Sequence, residues 1–365
     1  MNTPKAFSLT LLLTVLTAGC GGGGGGGGVD EGVTLEPLVI DQDNAMLVTA
    51  AVVDAVAIAQ DLGSVGVDDP VVPAAAATND VNALPPTFFE FIDGQLDRLQ
   101  LLQAPAADFH IAAIEIPPTT EECAISGTMT ISATIVDETG TFISPGDTLN
   151  ISLNDCNDGD GEVANGSMAI VVVEGVDFNF TPPYDFTFDI TLTNFSSTEI
   201  ASGETFTGNG DLTLREAVTA DALFIETEIA GTKLTVTEPG ESLALKDYWV
   251  RGTLDLALGD AYTADSRGRD DCCATLESTV LGGTVDFHNT QPFEGVGDNF
   301  PYTGVLLITG AVAPSGIGNS SVELTALDEF CVDLLIDENG DGAGDVGITT
   351  TWESLPTGIP EDCVL

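Results

Sequence analysis

Apolar and polar residues alternate along most of the C-terminal two thirds of the chain. The clearest run covers 184–193, where Tyr184, Phe186, Phe188, Ile190 and Leu192 would lie on one side of a strand and polar residues on the other. Shorter runs repeat the pattern, with apolar residues at Met129, Ile131, Ala133 and Ile135, at Leu254, Leu256 and Leu258, and at Val322, Leu324 and Ala326.

One buried face and one wet face are typical of antiparallel sheet. Threonine, valine, isoleucine and phenylalanine favour strands, and glycine-bearing turns separate the runs. The pattern predicts a mainly β domain over 118–365, built from roughly ten to twelve strands. We expect a long-stranded antiparallel sheet shaped as a curved roll, a half-barrel or a sandwich.

The segment 37–117 has a different pattern and predicts helices. Residues 44–62 are rich in alanine, valine and leucine and contain neither glycine nor proline. After a proline–alanine linker over 70–77, apolar residues recur at helical spacing over 87–103. We expect Pro117 and Pro118 to close the segment. The helices would cover the sheet, because a sheet with one apolar face must bury it.

The chain begins with one basic residue, Lys5, and an apolar stretch that ends in Ala18-Gly19-Cys20. The stretch is too short to cross a bilayer, which needs about 20 apolar residues. This order predicts a signal peptide over 1–19 that is removed from the mature protein. Glycines fill 21–28. Since such a run cannot hold a fold, 20–36 would be a flexible tether with a reach of roughly 20–25 Å.

The Ala18-Gly19-Cys20 sequence resembles the lipobox of bacterial lipoproteins, although Thr17 stands where that family usually has leucine. The resemblance implies that Cys20 carries diacylglycerol and palmitate and becomes the first residue of the mature protein. Glycine after the cysteine implies the outer membrane, by the sorting rule of enteric lipoproteins. The layout is similar to that of uncharacterised envelope lipoproteins of Gram-negative bacteria. That resemblance implies a membrane partner through the lipid, and neither an activity nor a cofactor.

The net charge of −50 excludes some partners. Nucleic acid and anionic headgroups are themselves negative, so the chain should bind neither directly. The chain is nevertheless 43% hydrophobic, which is enough to build a core. The acids would therefore lie on a solvated surface, where high salt or divalent cations would reduce their repulsion.

Six cysteines follow Cys20, and an even number in an exported chain favours disulfides. A hairpin turning near Gly140 would bring Cys123 close to Cys156, provided that one strand contains a one-residue bulge. Cys331 and Cys363 flank the last hairpin and form the second predicted pair. The partners of Cys272 and Cys273 stay open: they bond to each other or elsewhere. Without a CxxC pair, and with two histidines, the sequence argues against a zinc site.

The loop that begins at Asp337 has two interpretations. Oxygen-bearing side chains at Asp337, Asn339, Asp341 and Asp345 resemble the first half of an EF-hand-type calcium loop. Ile348, however, stands where that family has its bidentate glutamate. The alternative is a polar hairpin turn, for which Asn-Gly and Asp-Gly are favoured. The same two interpretations apply to the acidic segment 155–162.

No motif for catalysis stands out: there is neither a Gly-x-Ser-x-Gly elbow nor a His-Glu-x-x-His pair. The sequence therefore predicts a non-enzymatic lipoprotein of the outer membrane, binding or structural, with calcium as its one candidate ligand. The first alternative is a half-barrel carrier for an apolar ligand such as a lipid. The second is a surface hydrolase that uses paired carboxylates.

Overall fold

The computed structural model describes residues 35–61, 114–136, 144–159, 161–175, 182–270, 272–297 and 299–363. One α-helix, α1 (Ala45–Asp61), precedes fifteen strands. The strands are β1 (Ile114–Glu122), β2 (Ser126–Ile135), β3 (Thr148–Asn157), β4 (Glu162–Glu174), β5 (Tyr184–Glu199), β6 (Thr205–Val218), β7 (Phe224–Glu238), β8 (Glu241–Asp255), β9 (Ala261–Gly268), β10 (Ala274–Ser278), β11 (Gly283–Val296), β12 (Thr303–Val312), β13 (Asn319–Ala326), β14 (Cys331–Asp337) and β15 (Val346–Thr351). Short 3-10 helices cover Leu256–Leu258 and Trp352–Thr357.

All fifteen strands belong to one antiparallel sheet, in which strands that follow one another along the chain are usually neighbours. The exception is the position between β8 and β11, which β9 and β10 occupy one after the other. The mainly β fold with an antiparallel sheet and a small N-terminal helix is confirmed. The predicted number of strands was too low. The short strands β9 and β10, and the proline-containing β1, do not stand out in the sequence as separate apolar runs.

The apolar face of the sheet forms one continuous core. In β5, Phe186, Phe188, Ile190 and Leu192 are all buried, as the alternation predicted. The run in β13 behaves in the same way, with Val322 and Leu324 fully buried. Buried residues from β2 to β14 belong to the same cluster as those of α1.

The alternation predicted for Leu254, Leu256 and Leu258 is wrong after Leu254. Asp255 ends β8, and its side chain accepts hydrogen bonds from the backbone N–H groups of Ala257 and Leu258. This cap starts a 3-10 turn, so that Leu256 and Leu258 are exposed. The capping hydrogen bonds of Asp255 therefore end the strand, although the alternating apolar pattern continues beyond it.

The expected boundary at Pro117 and Pro118 is also wrong, because both prolines lie within β1. The register of β1 against β2 shifts between Ile116 and Thr119, so the prolines occupy an irregularity in the ladder. Among the described strands, β1 pairs only with β2 and is therefore an edge. Proline is tolerated there because an edge strand has N–H positions that need no partner.

The helix predicted over 44–62 is α1, and it packs on the sheet as expected. Its buried residues join the core and lie nearest to β8, β10, β13 and β14 and to the 3-10 helix Trp352–Thr357. The second predicted helix, over 87–103, lies outside the described residues. Among the described residues, no helix combines the length and apolar character that a membrane-crossing helix requires.

Candidate functional site

The segment that follows the predicted tether is built into the sheet between β11 and β12. Leu38 donates its N–H to Thr284 O at 2.9 Å, and Ala311 donates to Leu38 O at 2.7 Å. Glu36 O accepts a further bond from Thr284 N at 3.1 Å. The chain is therefore held by strand-like hydrogen bonds within a few residues of the tether. Cys20 and the glycine run lie outside the described residues.

Two glycines make room for this segment. A Cβ atom at Gly283 would lie 2.8 Å from Leu38 Cβ, and one at Gly310 would lie 2.9 Å from Ile40 Cγ1 and even closer to Leu38 O. Real side chains do not approach so closely, so β11 and β12 each require glycine at this point. Beyond it, Ile40 N donates to Ser320 Oγ at 2.8 Å.

The two predicted cysteine pairs lie at disulfide distance. The Cα atoms are 5.5 Å apart in Cys123–Cys156 and 5.9 Å apart in Cys331–Cys363. The hairpin formed by β2 and β3 pairs Ile131 with Ile151, and both residues are buried. The expected one-residue bulge is present beside Ser126, which lies opposite Asn157.

The candidate calcium residues lie together in the turn between β14 and β15. Asp337, which is buried, accepts the N–H groups of Gly340 and Gly342, both at 2.7 Å. Asn339 Oδ1 accepts from Asp341 N at 2.9 Å. These side chains therefore hold the turn by satisfying its own backbone donors.

Asp345 completes the same turn from its far side. Its Oδ2 accepts from the N–H groups of Glu338 and Asn339, both at 3.1 Å, and its Oδ1 accepts from Asn339 Nδ2 at 2.6 Å. Asp341 Oδ1 accepts from Ala343 N at 2.9 Å. Each of the four predicted ligands thus has an oxygen engaged within the turn, and a cation would have to share or replace these bonds.

The acidic segment 155–162 is used in a similar way. Asn157 Oδ1 accepts from Gly159 N, and Asp158 Oδ1 accepts from Ala124 N, both at 2.8 Å. Among the described residues, one group has metal-like proximity: Cys123, Cys156 and Asp158. Two of its three ligand atoms are the sulfurs of the disulfide, so it is not a cation site.

All basic residues of the described part lie within 215–269. Two of them, Arg215 and Arg251, belong to a cross-strand row with acids, in which Arg215 lies opposite Glu228, Glu228 opposite Arg251 and Arg251 opposite Asp265. Glu226 accepts hydrogen bonds from both Arg215 and Arg251. Burial raises the pKa of Glu226, but these two arginines outweigh it and lower the pKa overall. The row joins β6 to β9 electrostatically.

A concave surface beside this row contains two carboxylates, Asp185 and Glu226. A glycosidase needs one carboxyl that holds its proton, so that it can act as an acid. Here Arg215 binds Asp185 through two nitrogens, at 3.0 and 2.9 Å, and Glu226 at 2.8 Å. Because the two arginines lower the pKa of Glu226, this carboxyl is a poor proton donor.

A small cavity of about 40 Å³ lies between α1 and the sheet. Its lining is mostly apolar and includes Val56, Phe293, Phe300 and Trp352, with Asp265 as its one carboxyl. A volume of this size holds one or two water molecules. Its apolar lining would suit an apolar group, and the alternative of an apolar-ligand carrier stays a prediction.

No protein-family model, no curated protein and no solved structure matches this chain. Sequence reasoning missed Gly283 and Gly310, whose role depends on a segment more than two hundred residues away. It also missed the charged row, because the sequence alone does not give the strand register that places these residues opposite one another. A cue for the row was available: six of the eight basic residues lie within 215–269 of an otherwise acidic chain.

Proposed function

We propose that the protein is a lipid-anchored, non-enzymatic protein of the Gram-negative outer membrane. Cys20 carries the lipid, 20–36 forms the tether, and the β domain is a structural or binding module held close to the membrane. The observation that carries the proposal is the attachment of the chain directly after the tether. Leu38 is bonded on both sides, to Thr284 and Ala311, in a slot that two glycines keep open.

This attachment suits an anchored domain. A pull on the tether would act on backbone hydrogen bonds between β11 and β12, which belong to the main core, and not on a peripheral loop. The acidic surface adds a second reason for a lipid anchor. Since the charge of −50 repels anionic headgroups, the domain would leave the membrane surface without a covalent attachment.

Two concave sites within the described residues bear on the non-enzymatic part of the proposal. In one, Arg215 holds Asp185 and Glu226, and in the other the cavity of about 40 Å³ lies beneath α1. At the first site the arginines lower the pKa of Glu226 and so oppose proton donation, and the second is mostly apolar with Asp265 as the one carboxyl of its lining. Calcium binding by Asp337, Asn339, Asp341 and Asp345 stays a separate prediction within this proposal.

The test compares wild-type protein with Cys20→Ser, both expressed as the full chain in a Gram-negative host. We expect wild type to fractionate with outer membranes and its N-terminal peptide to carry the mass of the acyl groups. We expect Cys20→Ser to be soluble and to melt at the same temperature as detergent-extracted wild type. Retention of Cys20→Ser on membranes after washes with high salt and chelator, or an unacylated wild-type peptide, would contradict the proposal.

A further inference from the structure

Cys272 and Cys273 lie where β9 gives way to β10 in the shared position between β8 and β11. Backbone hydrogen bonds fix this connection on both sides. Gly268 donates its N–H to Cys272 O at 3.4 Å, and Arg269 donates to Asp247 O at 2.9 Å. Gly268 also packs directly on the backbone of Cys273, leaving no space for a side chain. The two cysteines are therefore held in a defined place.

Their sulfur atoms are in contact, with Cys272 Sγ 2.8 Å from Cys273 Sγ. Cys272 is exposed and Cys273 is half-buried. The four other cysteines of the described residues form Cys123–Cys156 and Cys331–Cys363. Within the described part of the chain, these two thiols consequently have only each other as disulfide partners.

We propose that Cys272 and Cys273 form a third disulfide, between adjacent residues, which is a reversible thiol–disulfide site at the protein surface. The inference rests on the proposed function to the extent that export places the chain in an oxidising compartment. The oxidant is a disulfide of a protein thiol oxidoreductase, the same chemical class that would introduce the other two bridges.

The reaction is a balanced exchange. The Cys272 thiolate attacks a sulfur of the oxidant's disulfide, which gives a mixed disulfide and releases one thiolate of the oxidant. Cys273 then passes its proton to His288 Nδ1, which lies 3.6 Å from Cys273 Sγ, and attacks Cys272 Sγ. The second oxidant thiolate leaves. Protons from the two cysteines end on the two oxidant thiols, so two thiols are oxidised and one disulfide is reduced.

The order of attack follows from exposure. Burial raises the pKa of Cys273 to about 12, with further increases from Cys272 and from Asp286. Cys273 therefore keeps its proton at neutral pH, whereas Cys272 faces solvent and is the first to react with the oxidant.

The vicinal bridge should be the most easily reduced of the three. Adjacent Cα atoms are about 3.8 Å apart, which is shorter than the usual range for a disulfide of about 4.4–6.8 Å, so the bond must be strained. Strained and exposed disulfides have less negative reduction potentials than buried ones. In contrast, Cys123, Cys156 and Cys331 are buried and are bridged at ordinary Cα separations.

The experiment maps all six cysteines in the full chain, purified from the envelope of the host after acid quenching. A glutamate-specific protease separates the cysteines completely: cleavage after Glu241 and Glu277 gives a peptide, 242–277, that contains only Cys272 and Cys273. Alkylation before digestion labels free thiols. We expect this peptide to be unlabelled and lighter by two hydrogen atoms than the same peptide after reduction.

Each outcome has one meaning. If the other two pairs are bridged but Cys272 and Cys273 are both alkylated, the inference is wrong while export stands. If all six are alkylated, the proposed export to an oxidising compartment is wrong. Oxidation of the purified protein by glutathione disulfide then tests separately whether Cys272 and Cys273 form a disulfide. A dithiol that retains a stoichiometric metal ion, found by elemental analysis, would overturn the disulfide in favour of a thiolate metal site.

Graded reduction supplies the second arm. As dithiothreitol is raised, we expect peptide 242–277 to become labelled at a concentration at least about tenfold lower than the other two pairs. Cys272→Ser is the matched variant, and it should leave one slowly reacting thiol and the same melting temperature. His288→Gln should slow re-oxidation about tenfold or more without changing the melting temperature. Simultaneous reduction of all three pairs would contradict a labile site.

Discussion

Tyr248 covers the backbone of Gly231 on the neighbouring strand, and its hydroxyl donates to Asp211 O at 3.2 Å. A Cβ atom at Gly231 would lie 2.5 Å from Tyr248 Oη. Tyr262 repeats the arrangement over Gly295 and donates to Asn299 O at 2.9 Å. A glycine on one strand thus makes room for a tyrosine on the next, and each tyrosine satisfies a carbonyl group.

We expect Gly231→Ala to destabilise the protein by roughly 2–4 kcal/mol, because the methyl group would displace Tyr248 from a fully buried position. Gly347→Ala is the matched control, since Gly347 also lies in a strand but has open space where its Cβ atom would be. Denaturant unfolding monitors both variants. Equal free energies of unfolding for the two variants would show that the contact between Tyr248 and Gly231 does not require glycine.

Asp54, in the middle of α1, predicts a pH dependence. Burial of Asp54, and after it the charge of Glu241, raises the pKa of Asp54 to about 7. Asp54 Oδ1 has no hydrogen-bond partner among the described residues. Between about pH 4 and pH 7 the folded state keeps a proton that the unfolded chain has lost, so stability falls as the pH rises through this window. The loss is complete above pH 7 and amounts to roughly 3–4 kcal/mol.

Asp54→Asn should therefore stabilise the protein at pH 8 and have little effect at pH 4. Urea unfolding across this range measures the difference from wild type, which cancels the titration of the other carboxylates. Asp43→Asn removes an exposed acid just before α1 and is the control for the loss of one negative charge. A flat difference for Asp54→Asn would refute the raised pKa.

The two predicted disulfides close loops of nearly equal length, with sequence separations of 33 and 32. The chain-entropy relation gives about 3–4 kcal/mol for each. We expect the double variants Cys123→Ala/Cys156→Ala and Cys331→Ala/Cys363→Ala to lose similar amounts in thermal or urea unfolding. A much larger loss for one of them would mean that its bridge stabilises packing beyond the constraint on the unfolded chain.

Asp337 tests how the β14–β15 turn is held. Asp337→Asn weakens the acceptor for two backbone N–H groups in a buried position, so we expect the free energy of unfolding to fall by about 1–3 kcal/mol, both with calcium and after chelation.

Asp341→Ala separates the two interpretations of the turn. A melting temperature that rises with millimolar calcium in wild type but not in Asp341→Ala would establish the ion site. The same melting temperature at all calcium concentrations would leave the turn as a hydrogen-bonded hairpin.

The fold was largely predictable, because the period of two along β5 and β13 reports directly which side chains are buried. The pairing of Cys123 with Cys156 followed from a hairpin length and a bulge, both local properties. Pro117, Leu256 and Leu258 were misassigned because an edge strand tolerates proline and an aspartate cap can end a strand early. The slot at Gly283 and Gly310, and the row from Arg215 to Asp265, depend on strand register and on contacts far apart in sequence, which periodicity does not contain.

The docking of Leu38 and Ile40 has a consequence for the order in which the domain folds. Nearly every strand pairs with the next one made, so the sheet can grow hairpin by hairpin as the polypeptide emerges. Ile40, in contrast, must wait for Ser320, because the two are separated by 280 residues. Among the described residues, this N-terminal segment is synthesised first but reaches its native position late. Under the proposed anchoring at Cys20, the docked segment would help to set the distance between the domain and the bilayer only after β13 has formed.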